Sequence, residues 1–289
     1  MSKEPTYQGT MRSTVCREFF MYTADNNYIT GRWCYLNGQH LDFYWMSLHA
    51  LEKYLKCVLL MNGHSGKEYT DAKGKTHSFG HDIVALYTET KSLAGGLLID
   101  KFVQPEKSVV HFWYDESVVE FLKRLYTEGH PDNRYHTFGT HRRPDDIFKV
   151  DQIVFSARRI CWPLDNYIIS SEGRKSTPTF RDFCSNEPNA WRFSVGDLSP
   201  LGEAFDGKRG VALKTALLEN NLAFAPKDYE HPAYQEHSYH HSPIMLRYIH
   251  DYLKDSSSKF AKGEARKLRK WVIENIQLPK EVRREIESW

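Results

Sequence analysis

Residues 42–61 read DFYWMSLHALEKYLKCVLLM, and this stretch decides the fold because its apolar side chains recur at helical spacing. Leu48, Leu51 and Leu55, continued by the apolar pair at 58 and 59, lie on one face of an α-helix. Glu52 and Lys56 stand four residues apart on the other side, in the order that favours an ion pair. We therefore predict an amphipathic helix over 42–61, ended by Asn-Gly, whose wide apolar face requires partner helices.

Similar patterns elsewhere predict a mainly α-helical protein. Strand signals are weak, although short β-branched runs such as 167–169 (YII) can pair locally. The glycine-rich residues 63–80 are predicted to form an exposed loop. The further predicted helices are 16–36, one that begins near His81-Asp82, 118–126, 149–162, 211–224, 244–253 and 264–276.

The helices group into two predicted regions. Residues 1–165 are expected to form one helical bundle, and residues 166–289 a helical C-terminal region. Its first part, 166–208, contains scattered glycine and proline between short apolar pieces and is predicted to be an irregular linker.

Composition excludes several classes of function. Lys and Arg total 39 and Asp and Glu 37, so the formal net charge of +2 provides no general attraction to nucleic acid or to membranes, and only local patches remain. The five cysteines include no CxxC pair, which argues against thiolate zinc sites. The polar N-terminus lacks a signal-peptide pattern, and no apolar stretch is long enough to span a bilayer. We expect a cytoplasmic protein without a membrane partner.

Four segments in order suggest a family. They are ADNNYITGR at 24–32, HALEKYLK at 49–56, GHDIVAL at 80–86 and NRY at 133–135. Together they resemble HEPN domains, and the resemblance covers about half of the chain. It implies a HEPN-like helical bundle, a homodimer and no cofactor. Many HEPN proteins are metal-independent ribonucleases of toxin–antitoxin or defence systems, with an Arg followed at short spacing by a His, whereas others are binding modules.

The resemblance identifies Arg134 and His141, separated by six residues, as the candidate catalytic pair, with Arg124 and His130 as a second possibility. A histidine can take or give the 2′-OH proton of RNA, and an arginine can stabilise charge on phosphate. The residues predicted to bind substrate, RNA or a nucleotide, are His136, Arg142, Arg143, His81 and Asp82. For His81 and Asp82 a structural role, with Asp82 as a helix cap, is the alternative.

Two other functions stay open. The first is a non-catalytic helical module that dimerises or binds a nucleotide or protein; Tyr135 directly after Arg134 and the low net charge favour it. The second is a metal-dependent hydrolase built on the histidine-rich run 231–241, although its spacing matches no known metal motif.

His49 is expected to be a core histidine. The basic helices over 259–287, with nine Lys or Arg and five Asp or Glu, provide a second local patch for RNA or a partner.

Overall fold

The computed structural model describes residues 7–106, 110–169, 175–187, 198–243, 246–254 and 257–289. The protein is mainly helical, as predicted. Wider π-helical turns over Arg17–Met21 and Leu246–His250 precede the α-helices that begin at Tyr22 and Asp251, and short 3₁₀ turns cover Gly95–Leu97 and Pro131–Tyr135. The α-helices are α1 Tyr7–Cys16, α2 Tyr22–Leu36, α3 His40–Met61, α4 Ile83–Ala94, α5 Val118–Glu128, α6 Asp146–Arg158, α7 Phe180–Asn186, α8 Pro200–Phe205, α9 Val211–Leu218, α10 Asp251–Lys254, α11 Lys259–Asn275 and α12 Lys280–Ser288.

Within these residues, the strands form three antiparallel two-stranded ribbons. The pairs are β1 Glu68–Thr70 with β2 Thr76–Ser78, β3 Thr140–Arg142 with β6 Tyr239–His241, and β4 Tyr167–Ile169 with β5 Lys175–Thr179. The local pairing expected for 167–169 is confirmed. Residues 63–80 form a hairpin at their centre rather than a plain loop.

Helix α3 is the centre of the bundle. Its apolar face, including Phe43, Leu48 and Leu51, is fully buried, and it contacts α1, α2, α4, α5 and α6. The close approach of α2 depends on Gly31, where an added Cβ would lie 3.2 Å from the Met46 Cβ. A glycine that weakens α2 as an isolated helix therefore permits its tight packing on α3.

Several helix ends differ from the predicted bounds for local reasons. Helix α9 ends at Leu218 rather than near 224, since Asn220 adopts a positive φ of 53°. Helix α11 begins at Lys259, earlier than predicted, because the Ser258 hydroxyl accepts a hydrogen bond from the Ala261 amide. The predicted helix 244–253 becomes a π-helical turn followed by α10, and residues 244 and 245 lie outside the described part.

Helices beyond residue 165 pack on the first bundle. Both α8 and α9 contact α2. The predicted linker 166–208 therefore contains regular structure, namely β4, β5, α7 and α8, while its residues 170–174 and 188–197 lie outside the described part.

Buried ionic groups fix this packing. Arg32 pairs with Asp151 of α6 and donates to the Ala216 carbonyl of α9 at 2.7 Å. Arg158 donates to Asp25 at 2.8 Å and to the Ser199 hydroxyl, before α8, at 2.9 Å. Because an unpaired charge here would be costly, these pairs determine how α2, α6 and the later helices fit together.

All five cysteines are buried free thiols. Among the helices that the structure describes, none is long and apolar enough to cross a lipid bilayer.

Candidate catalytic ribbon

The β3–β6 ribbon joins the two histidine-containing segments singled out in the sequence. Its register places His141 opposite His240 and Thr140 opposite His241. The His141 and His240 side chains are exposed, with ring centroids 5.5 Å apart. His241 instead packs against His136, at 4.3 Å between centroids. Because side chains alternate along a strand, the run 239–241 is divided between two faces, and one face presents the pair His141 and His240.

A buried amide shapes the turn that leads into β3. The Asn133 side chain donates to the carbonyls of Glu128 and Gly139, each at 2.8 Å, and accepts from the Phe138 amide at 2.8 Å. His136 takes the left-handed conformation with a φ of 54°. This network places His141 directly after a closed turn.

Gly139 permits the ribbon to form. Its φ is +77°, and a Cβ at this position would lie 2.3 Å from the His241 carbonyl oxygen. Only glycine accommodates both the backbone conformation and the close approach of β6.

Glu128, at the end of α5, lies behind the ribbon. One of its oxygens accepts a hydrogen bond from the His141 amide at 3.1 Å, and Arg124 lies 3.8 Å from the other. Burial raises the pKa of Glu128 to about 7, and the Asp146 carboxylate adds to the rise while Arg124 opposes it. Glu128 is therefore a carboxyl group that can gain or lose a proton near neutral pH.

Under the ribbon, buried cationic and carboxylate side chains pair with one another. Arg124 donates to Asp146 at 2.6 Å and to Glu116 at 2.9 Å. Glu116 also accepts from Lys149 at 2.6 Å. Lys149 contacts Asp145 at 2.7 Å. Two cations thus lie among three carboxylates, and Arg143 contacts Glu116 at the edge of the network.

Two arginines of the predicted basic patch at 134–143, Arg142 and Arg143, make contacts within the protein. The Arg142 guanidinium lies over the Tyr35 ring, 4.1 Å from its centroid, and is buried. Arg143 lies over the Tyr114 ring at 4.8 Å and contacts Glu116 at 3.3 Å. The charge of Arg142 is thus used internally, whereas Arg143 stays partly accessible at the edge, and substrate binding by these two arginines stays a prediction.

The two predicted Arg–His pairs differ. Arg134 lies in the 3₁₀ turn Pro131–Tyr135, and its side chain lies outside the described part of the chain, so its approach to His141 stays a prediction. In the second pair, Arg124 belongs to the buried network, whereas His130 accepts from the Asp132 amide at 3.2 Å and packs on Tyr126. These contacts direct Arg124 and His130 to different partners.

The contacts of His81 and Asp82 are made with α3 and α4 rather than with the ribbon. Asp82 caps α4 by accepting from the amides of Val84 and Ala85, both at 3.0 Å. His81 Nδ1 lies 2.9 Å from Glu52 Oε2. Burial raises the pKa of Glu52, but the contacts with His49, Lys56 and His81 more than offset it and hold the pKa at about 2. In these contacts His81 and Asp82 play a structural role, which was the alternative to substrate binding.

The histidine run 231–241 does not assemble a metal site in the described residues. His231 accepts from the Asn220 amide at 3.1 Å, and His237 contacts Gln235. The one group of three side chains in the described residues that could share an ion is elsewhere: His49, Glu52 and His81. The metal-dependent hydrolase at 231–241 thus has no geometric support.

Two residues, one in the ribbon and one behind it, were missed as site residues. His240 was visible within the histidine run, but its pairing with His141 depends on the fold. Glu128 gave no signal in the sequence, because its raised pKa results from burial. Burial also lowers the pKa of His141, with Arg143, His240 and Arg124 adding to the effect, which favours the neutral imidazole that can accept a proton.

The chain matches no family model, no curated protein and no solved structure. The HEPN resemblance therefore stays a prediction, and the geometry of the ribbon is the structural basis for a proposed function.

Proposed function

We propose that the protein binds RNA and cleaves it without a metal ion, using His141 and His240 as an acid–base pair. The observation that supports this is the exposed juxtaposition of the two imidazoles on adjacent strands, 5.5 Å between ring centroids. Cleavage of RNA through its own 2′-OH needs one group to take a proton and another to give one.

In the proposed reaction, neutral His141 takes the proton from the 2′-OH as its oxygen attacks the phosphorus. The bond between phosphorus and the 5′-oxygen breaks, and His240, acting as the acid, gives a proton to that leaving oxygen. The products are a 2′,3′-cyclic phosphate and a free 5′-hydroxyl. The lowered pKa of His141 supports its role as the base. Arg143, near His141 and partly exposed, is placed to stabilise charge on the phosphate.

The test is cleavage of a labelled single-stranded RNA in excess chelator. Wild type should yield cyclic-phosphate ends, and His141→Ala should lose about 100-fold or more of the rate, which is the usual contribution of a general base. His237→Ala is the matched control, since His237 is an exposed histidine of the same segment but outside the ribbon. Absence of cleavage by wild type, or equal rates for wild type and His141→Ala, rejects the proposal.

The second candidate is a non-catalytic module that binds a protein or nucleotide partner and pairs with a second copy. The internal use of Arg142, over the Tyr35 ring, favours it because the loop then presents less free positive charge for an RNA backbone. Fluorescence anisotropy with the same RNA separates the two functions. Absence of both binding and cleavage of the RNA by wild type supports the module. Sedimentation at several concentrations tests the homodimer that the resemblance implies.

A further inference from the structure

A second cluster of titratable side chains lies at α3, apart from the β3–β6 ribbon. His49 and Glu52 are three residues apart on this helix, so their side chains share a face. His81, immediately before the cap of α4, brings its ring to the same place. The ligand atoms of the three side chains all lie within 4.8 Å of one another.

One carboxylate oxygen is the focus of the cluster. Glu52 Oε2 lies 2.9 Å from His81 Nδ1 and 3.7 Å from His49 Nδ1. The other oxygen, Oε1, is held by Lys56 Nζ at 2.6 Å. Lys56 thereby leaves Oε2 as a single oxygen ligand between two imidazoles.

The surroundings hold two of the ligands in place and leave the third accessible. Trp45 packs edge-on against the His49 ring, at 4.6 Å between centroids, and Lys56 also donates to the Gly80 carbonyl at 3.0 Å. The Glu52 side chain is 10% exposed and the His81 side chain is 52% exposed. Solvent can therefore reach the cluster from the His81 side.

We propose that His49, Glu52 and His81 bind one divalent transition-metal ion, of which Zn²⁺ is the most suitable. Two imidazoles and one carboxylate form a ligand set that Zn²⁺ uses with water in the fourth position, and Mg²⁺ and Ca²⁺ prefer oxygen ligands. Tetrahedral bonds of about 2.0–2.1 Å separate ligands by roughly 3.3 Å, so side-chain movements of about 1 Å bring these atoms into range.

This site is independent of the ribbon and of the proposed RNA cleavage. An ion here would join α3 to the start of α4. It would stabilise the folded chain, because the three ligands come together only in the folded state. RNA cleavage at the ribbon is assayed in excess chelator, so it does not depend on an ion at this site. Failure of metal binding and failure of RNA cleavage are therefore distinguishable outcomes.

The test is calorimetric titration of chelator-treated protein with Zn²⁺, together with the visible absorption of the Co²⁺ form, which reports tetrahedral coordination. Wild type should bind one ion. His81→Ala should weaken binding at least 100-fold, because loss of a second-shell partner alone costs about 10–100-fold. His81 is half exposed, so its removal should leave the fold intact, and His49→Ala provides a second ligand variant.

His77→Ala is the matched control, since His77 lies in the neighbouring hairpin and contacts Asp71 at 2.9 Å. It should bind Zn²⁺ as wild type does. Absence of stoichiometric binding by wild type, or binding by His81→Ala as tight as by wild type, overturns the proposal.

Discussion

Replacement of Gly139 by alanine is the sharpest test of the ribbon geometry. The new Cβ would lie 2.3 Å from the His241 carbonyl oxygen in β6, far inside van der Waals contact, and the φ of +77° would also be strained. The strand must therefore move away, which separates His141 from its partner across the ribbon.

The magnitude follows from two contributions. A residue with a Cβ in the left-handed region costs about 1–2 kcal/mol. Overpacking against a rigid neighbour costs about 1–3 kcal/mol more. We expect Gly139→Ala to lower the free energy of unfolding by roughly 2–5 kcal/mol.

Gly74→Ala separates the two contributions. Gly74 has a similar φ of +80°, but a Cβ there would have no neighbour within 4 Å. This control should lose only about 1–2 kcal/mol. Urea unfolding followed by circular dichroism measures both variants. Amide NMR spectra should show shifts at residues 140–142 in Gly139→Ala and no shifts there in Gly74→Ala. Equal destabilisation of the two variants, with residues 140–142 unchanged, would refute the inferred contact.

Three further predictions concern groups around the core. The raised pKa of Glu128 means that the folded chain holds a proton that the unfolded chain releases, so this group's contribution to stability falls as pH rises from about 4.5 to 7. Urea unfolding at several pH values should show Glu128→Gln more stable than wild type at pH 8, by up to about 3 kcal/mol, and similar to it at pH 4; parallel pH profiles would contradict this. Asp82→Ala should cost about 1 kcal/mol of unfolding free energy through loss of the α4 cap, and an unchanged thermal midpoint would count against the cap. Arg32→Met should cost about 3–5 kcal/mol in urea unfolding because Asp151 is left buried and unpaired, and adding Asp151→Asn should recover part of the loss; strictly additive losses would contradict the pair.

The helices could be predicted well because the apolar pattern that indicates a helix lies within the helix's own residues. The apolar positions of 42–61 repeat at a helical period, and α3 occupies nearly those bounds. The structural alternative for Asp82, a cap of the next helix, follows from its position before that helix, and Asp82 makes the cap contacts. Helix ends were less accurate where one residue decides them, as the left-handed Asn220 does for α9.

The ribbon could not be predicted from the sequence. Strands of three residues are too short to show a periodic pattern, and β3 and β6 are far apart in the chain. The sequence shows that Arg142 is charged but does not show that Tyr35 lies beneath it. The raised pKa of Glu128 is likewise a consequence of burial, which only the packed structure determines.

The most direct test of the central proposal is a double-mutant cycle on the rate of RNA cleavage in chelator, with wild type, His141→Ala, His240→Ala and the double variant. If the two imidazoles act as one acid–base pair, each single variant should lose about 100-fold or more, and the double variant should lose much less than the product of the two losses. Full cleavage by either single variant, independent multiplicative losses, or no cleavage by wild type would contradict the pair.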